Sequence, residues 1–150
     1  MSGDQLMRAH SSSLPGPTFD NPAWVTPRPL RQSRVAIVTS AALYASGDDP
    51  FGAADTSFRV IDRERRDLVM GHWSPNFDHV GVKLDLNVVY PIDRLEELAE
   101  DGVIGSVAPR HISFAGNQPD DVATIRYDSG PAAAELLRQD GVDVVILTPV

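Results

Sequence analysis

The run Arg34-Val35-Ala36-Ile37-Val38-Thr39-Ser40 constrains the fold more than any other stretch, because it is apolar and β-branched without alternation. A strand with one wet face alternates apolar and polar residues, whereas one buried on both faces reads continuously and belongs to a parallel sheet. Residues 142–150, Val-Asp-Val-Val-Ile-Leu-Thr-Pro-Val, repeat the pattern and predict a last strand as buried as the first. Between them, strands are expected at 58–62, 68–70 and 103–108. A helix is expected where Pro91 stands near the first turn, Ile92, Leu95, Leu98 and Ala99 share one face, and Gly102 follows the end. Asp93 in its first turn suits the helix dipole. Residues 119–128 are ambiguous, with a break expected near Ser129-Gly130-Pro131. A second helix runs on from Ser129 to Gly141.

Strands separated by helices imply right-handed crossovers. The expected fold class is α/β, an open three-layer, mostly parallel sheet that is Rossmann/flavodoxin-like. The sheet domain occupies 34–150. Residues 1–33 are expected to form an irregular, extended arm, because Ser11-Ser12-Ser13 and five prolines (Pro15, Pro17, Pro22, Pro27, Pro29) disfavour regular structure. Phe19 and Trp24 are expected to cover the domain's own core. Of 13 basic and 21 acidic residues, Arg8, Arg28, Arg31 and Arg34 and Asp4 and Asp20 fall in the first 34 positions, leaving 9 and 19 in the body. So acidic a body argues against nucleic acid and anionic membrane as partners. The chain has no cysteine, hence no disulfide, thiolate metal site or thiol nucleophile of its own. With no signal-peptide core and no apolar run of spanning length, a cytoplasmic location is expected.

Two clusters break the hydropathy pattern. Met70-Gly71-His72-Trp73-Ser74-Pro75-Asn76-Phe77-Asp78 fits neither a helical nor a strand period, and is expected to be a working loop beyond a short strand. Arg110-His111-Ile112-Ser113-Phe114-Ala115-Gly116 is expected to be a second polar loop after a strand. The charged run 63–67 is expected to be a solvated turn. His72 and His111 are the candidate catalytic residues: each would donate to a substrate carboxylate or move a proton to a leaving amine, or else close its loop by a hydrogen bond. Ser74, Asn76, Asp78, Asn87, Arg110 and Ser113 are the candidate substrate-binding residues. Asn and Asp more commonly fix local backbone, and Arg110 would bind a carboxylate through its planar fork. Asp85 and Asp93 are expected to cap and orient, and His79 to lie at the surface. His72, Asp78, His79 and His111 are metal-ligating by type, but no compact ligand motif is present and no metal is expected.

Gly71-His72-Trp73-Ser74-Pro75-Asn76-Phe77-Asp78, Asp85-Leu86-Asn87-Val88-Val89-Tyr90-Pro91-Ile92-Asp93-Arg94-Leu95, Gly102-Val103-Ile104-Gly105-Ser106-Val107 and His111-Ile112-Ser113-Phe114-Ala115-Gly116 together resemble the glycine/sarcosine/betaine reductase selenoprotein B and D-proline reductase family. The resemblance runs from about Thr18 to Val150 in the same order and spacing. It implies reductive cleavage of a C–N bond alpha to a carboxylate, by a selenocysteine or cysteine nucleophile served by a thiol reductant system. In cysteine-bearing relatives the last strand is followed by a Cys-x-x-Cys-like segment opening a helix, where the helix N-terminus lowers a thiol pKa. This chain departs from the pattern in ending at Val150 without a redox residue.

The expected cofactor is therefore none within the chain, with the thiol or selenol group coming from a segment after Val150 or from a partner. The expected partners are a small amine-bearing carboxylate, the thiol reductant system and further subunits in a homo- or hetero-oligomer. A non-catalytic binding or assembly module of the same fold is the alternative.

Overall fold

The computed structural model describes residues 2–13, 24–72, 79–118 and 121–150. The strand β1 (Arg34–Thr39) is the centre of the main sheet, as its apolar run requires, and Ala36 and Ile37 are fully buried. One side of β1 pairs in parallel with β7 (Val144–Thr148), from Val35 opposite Val144 to Thr39 opposite Thr148. The other side is shared by two shorter parallel strands, β5 (Ser106–Val107) against Arg34 and Val35, and β6 (Arg110–Phe114) against Val38 and Thr39. An antiparallel strand, β3 (Phe58–Asp62), lies outside β6.

Helices cover both faces. Val35, Ile37, Val144 and Ile146 pack against Tyr90, against Ile92 and Leu95 of α3 (Ile92–Glu100), and against Val82 of α2 (His79–Leu84). On the other face Ala36, Ile112, Phe58 and Phe114 pack beneath Ala133 and Leu137 of α4 (Gly130–Gln139). The fold is thus mixed α/β around a mostly parallel sheet. Gly102 and Gly141 follow α3 and α4 with φ of +69° and +68°, the left-handed conformation that lets a helix end sharply.

Several local expectations are corrected. Residues 110–114, expected as loop, are the strand β6. Its alternation sends Ile112 and Phe114 to the α4 face and His111 and Ser113 to the other. The segment 68–70 forms β4 (Leu68–Met70), which stays out of the main sheet and pairs antiparallel with β2 (Leu43–Ala45), a strand hidden in the turn-rich 41–51. β7 is an edge strand rather than a doubly buried one, with Leu147 71% exposed. There is no break at 129–131. A π-helical turn, Ile125–Ser129, runs into α4, and a side chain at Gly130 would collide with the Ile125 carbonyl. Leu98 of α3 faces outward.

The arm begins with a helix, α1 (Gly3–Ser13), which buries none of its residues. Ser2 and Gln5 cap it reciprocally at 3.0 and 3.3 Å, and Asp4 pairs with Arg8 one turn on, so local bonds shape it. Trp24 is 80% exposed instead of covering the core, and Phe19 lies outside the described residues. The charged turn 63–67 does more than face solvent. Arg63 and Arg66 both bond Glu96, at 3.0 and 3.2 Å, and tie the turn to α3. No helix among the described residues is long and apolar enough to cross a membrane.

Candidate functional site

The carboxyl ends of β1, β6 and β7 meet at one edge of the sheet. The Ser40 amide donates to the Thr148 carbonyl at 3.2 Å, and the Val150 amide donates to Ser40 Oγ at 2.8 Å. Gly116 follows β6 into the same place. A Cβ there would stand 2.9 Å from each of His72 Nε2, the Ser40 carbonyl oxygen and the Val150 carbonyl oxygen. Any side chain at 116 would drive these groups apart, so glycine is what permits the close approach.

His72 is delivered by a short relay. Ser113 Oγ, buried, accepts the Leu43 amide at 2.7 Å and holds the turn out of β1, where Ala42 has φ +54°. The Ala42 carbonyl in turn accepts the Gly71 amide at 3.0 Å, setting the residue just before His72. The result is a half-buried imidazole beside two carbonyl oxygens at the open ends of the strands, where open α/β sheets hold ligands. Such a group can donate or accept a proton, and the carbonyls can accept from an ammonium.

His111 is not brought to that edge. Five positions separate Val107 from Ile112 where β1 advances only three, from Val35 to Val38, so the β5–β6 side carries a two-residue excess around Pro109. The Ile37 amide that faces this gap is taken up by His111 Nδ1 at 3.0 Å. The ring stands edge-on to Tyr90, with centroids 5.4 Å apart, and is fully buried. Burial first, and the Arg63 charge second, push its pKa down to about 4. An Nδ1 that accepts places the proton on Nε2, which finds no hydrogen-bond partner among the described residues. His111 is thereby a neutral imidazole standing in for a missing backbone acceptor, and Ser113 does the same for Leu43.

The other candidates divide. Arg110 opens β6 at the opposite end of the sheet, its fork closed on Asp140 at 2.8 and 2.7 Å. Asn87 donates to Asp85 and Asp93 and accepts the Asp93 amide, fixing the entry to α3. Asp85 caps the turn Leu86–Val88, and bonds from Asn87 hold its carboxyl below the usual range. Ser74, Asn76 and Asp78 lie outside the described residues. His79, with Arg66 and Lys83, lines a groove of about 550 Å³ beside β4. Among the described residues no three His, Asp or Glu side chains gather as a metal would require. Sequence reasoning missed Ser40 as a site residue and Tyr90 as the wall behind His111. The only sequence signal for Ser40 is a small polar residue closing an apolar strand.

A family model, glycine/sarcosine/betaine reductase selenoprotein B, matches residues 8–150. The chain belongs to this family. It is 35% identical over 153 residues to D-proline reductase subunit gamma of Acetoanaerobium sticklandii, a match covering 99% of this chain and 62% of that subunit. It is 28% identical to the glycine reductase complex component B subunit gamma of Carboxydothermus hydrogenoformans, and 29% identical to the sarcosine reductase complex component B subunit beta of Peptoclostridium acidaminophilum. Those two matches cover 92% and 91% of this chain but 33% of each relative. The chain therefore spans under two thirds of the first of these relatives and a third of the others. No solved structure matches it.

Proposed function

We propose that this chain forms the strand-end wall of a thiol- or selenol-dependent reductase subunit that cleaves a C–N bond alpha to a carboxylate. The observation that carries the reading is the convergence of His72 Nε2 and the Ser40 and Val150 carbonyls around Gly116, each 2.9 Å from where a Cβ would stand, in what we take to be a Rossmann/flavodoxin-like sheet. Reductive cleavage of an amine consumes two electrons and two protons: the C–N bond breaks, a C–H bond forms at the alpha carbon, and the nitrogen leaves protonated. The electrons belong to a dithiol reductant. A thiol or selenol supplied by further polypeptide provides the nucleophile, since the chain holds no cysteine. His72 provides the proton for the leaving nitrogen, and the two carbonyls receive its N–H groups. Ser74, Asn76 and Asp78 complete the substrate contacts. His111 and Ser113 support the wall from within, and Arg110 and Asn87 are given no substrate contact, Arg110 being closed on Asp140 and Asn87 on Asp85 and Asp93. The partners are a small amine-bearing carboxylate, the thiol system and other subunits of a cytoplasmic complex.

The test is His72→Gln in an assembly that includes the thiol- or selenol-bearing polypeptide. General-acid help is worth roughly 10²–10⁴-fold, and a quaternary ammonium needs none. Cleavage of sarcosine or D-proline should fall by that order while cleavage of betaine is nearly unchanged. Equal losses on both substrate types, with a lower melting temperature, would overturn the assignment. The uncovered Leu147 on the edge strand β7 favours a second reading, a non-catalytic assembly module. Dithiothreitol-dependent turnover by the chain alone would contradict both readings.

A further inference from the structure

β7 is as apolar as β1 but is only half covered. Val144 and Ile146 pack into the core, whereas Val145 and Leu147 are 39% and 71% exposed. The register sets these two beside Ala36 and Val38, on the face that α4 covers. The α4 residues Ala133 and Leu137 pack with Ala36, Ala108 and Ile112, on the β1–β6 side, which leaves Leu147 open. Among the described residues no strand pairs with the outer edge of β7. Neither charge nor proline stands within Val144–Thr148 to discourage pairing there. Parallel strands are normally covered on both faces, and unguarded apolar edges are avoided.

We propose that the β7 edge and the Val145 and Leu147 face dock a βα element of further polypeptide from the same reductase family, its strand parallel to β7 and its helix laid across Leu147. The relatives supply the reason for this occupant over a second copy. The match takes up 62% of the D-proline reductase gamma subunit and 33% of the two component B subunits, so each carries polypeptide beyond the matched region. A parallel sheet extended at β7 also keeps the new strand's carboxyl end beside Val150 and Ser40. That continuity deepens the proposed function and rests on it only in part, because the docking itself follows from family membership and the uncovered face.

The experiment is co-expression of this chain with the part of the Acetoanaerobium sticklandii gamma subunit outside the match, tagged as a separate polypeptide. The expected result is a one-to-one complex in which hydrogen exchange of the Val144–Thr148 amides slows at least tenfold. Leu147→Asp should weaken the complex at least tenfold. The control Leu84→Asp, at an 84% exposed position of α2, should leave it unchanged. Both variants should melt within about 2 °C of the native chain, as exposed substitutions do. No complex, or one indifferent to Leu147→Asp, would overturn the proposal. So would a chain that is dimeric alone with protected β7 amides and becomes monomeric with Leu147→Asp, which would give the face to a second copy. Activity is not read, so failure of the reductase chemistry is a separate result.

Discussion

The clusters around His72 and His111 look alike in sequence, each a histidine with a serine two residues on, but the chain uses them in opposite ways. His72 follows a three-residue ribbon strand and stands at the strand ends over Gly116. His111 sits inside a strand of the main sheet, where its ring replaces a backbone acceptor. Polar residues at alternate positions of a strand are not evidence of a loop when the residues between and after them, here Ile112 and Phe114, are apolar and covered by a helix. What separates the two cases is where each histidine stands: backbone pairing runs through His111 inside β6, whereas His72 lies beyond Met70, the last residue of β4.

The largest effect expected from breaking this contrast is His111→Leu. The buried Ile37 amide loses its acceptor, which costs about 1–3 kcal/mol, and the ring's packing against Tyr90 is disturbed as well. A fall in melting temperature of roughly 10 °C by calorimetry is expected. His111→Asn, which keeps an acceptor near the Nδ1 position, should recover about half of it. An unchanged melting temperature for His111→Leu would place His111 outside the scaffold.

The acid limb of stability sharpens the comparison next. The folded pKa of His111 lies near 4 and an unfolded histidine titrates near 6.5, so between these values the unfolded chain binds more protons. Its contribution is fully present above pH 6.5 and is lost as pH falls toward 4, at up to about 1.4 kcal/mol per pH unit. His111→Asn should flatten that part of a urea-denaturation pH profile. Smaller again is Gly116→Ala, whose methyl meets two backbone carbonyls. A loss of about 2 kcal/mol is expected from the overpacking, with β1, β6 and β7 amides near the strand ends exchanging faster. An indifferent Gly116→Ala would remove the close approach on which the site rests.

Much of the fold was legible in the sequence, for stated reasons. The continuous apolar run of β1 required a central strand, and the spacing from Pro91 to Gly102 required α3. The expectation for β7 failed because hydropathy records what a strand is suited to touch and not whether these 150 residues supply it. The strand at 68–70 was expected but not its pairing with β2, and β2 itself was hard to recognise because a three-residue strand carries almost no period; α1 was missed because its stabilising bonds are local and its composition is that of a linker. In the site, His72 and Gly116 were within quoted motifs, but their approach depends on Ser113 holding Leu43, 70 positions before it, and on Ala42 holding Gly71, about 30 positions after it. The structural role of His111 was hidden because it answers a two-residue excess around Pro109, and strand register is invisible before strands are paired.

The claim that one histidine is presented and the other built in is tested most directly at His111 by nitrogen-detected NMR of the imidazoles from pH 4 to 8, with His111→Asn assigning the signal. The expected result is an unprotonated, hydrogen-bond-accepting Nδ1, a proton on Nε2, and no titration until pH approaches 4. A His111 that protonates near pH 6.5, or carries its neutral proton on Nδ1, would contradict it.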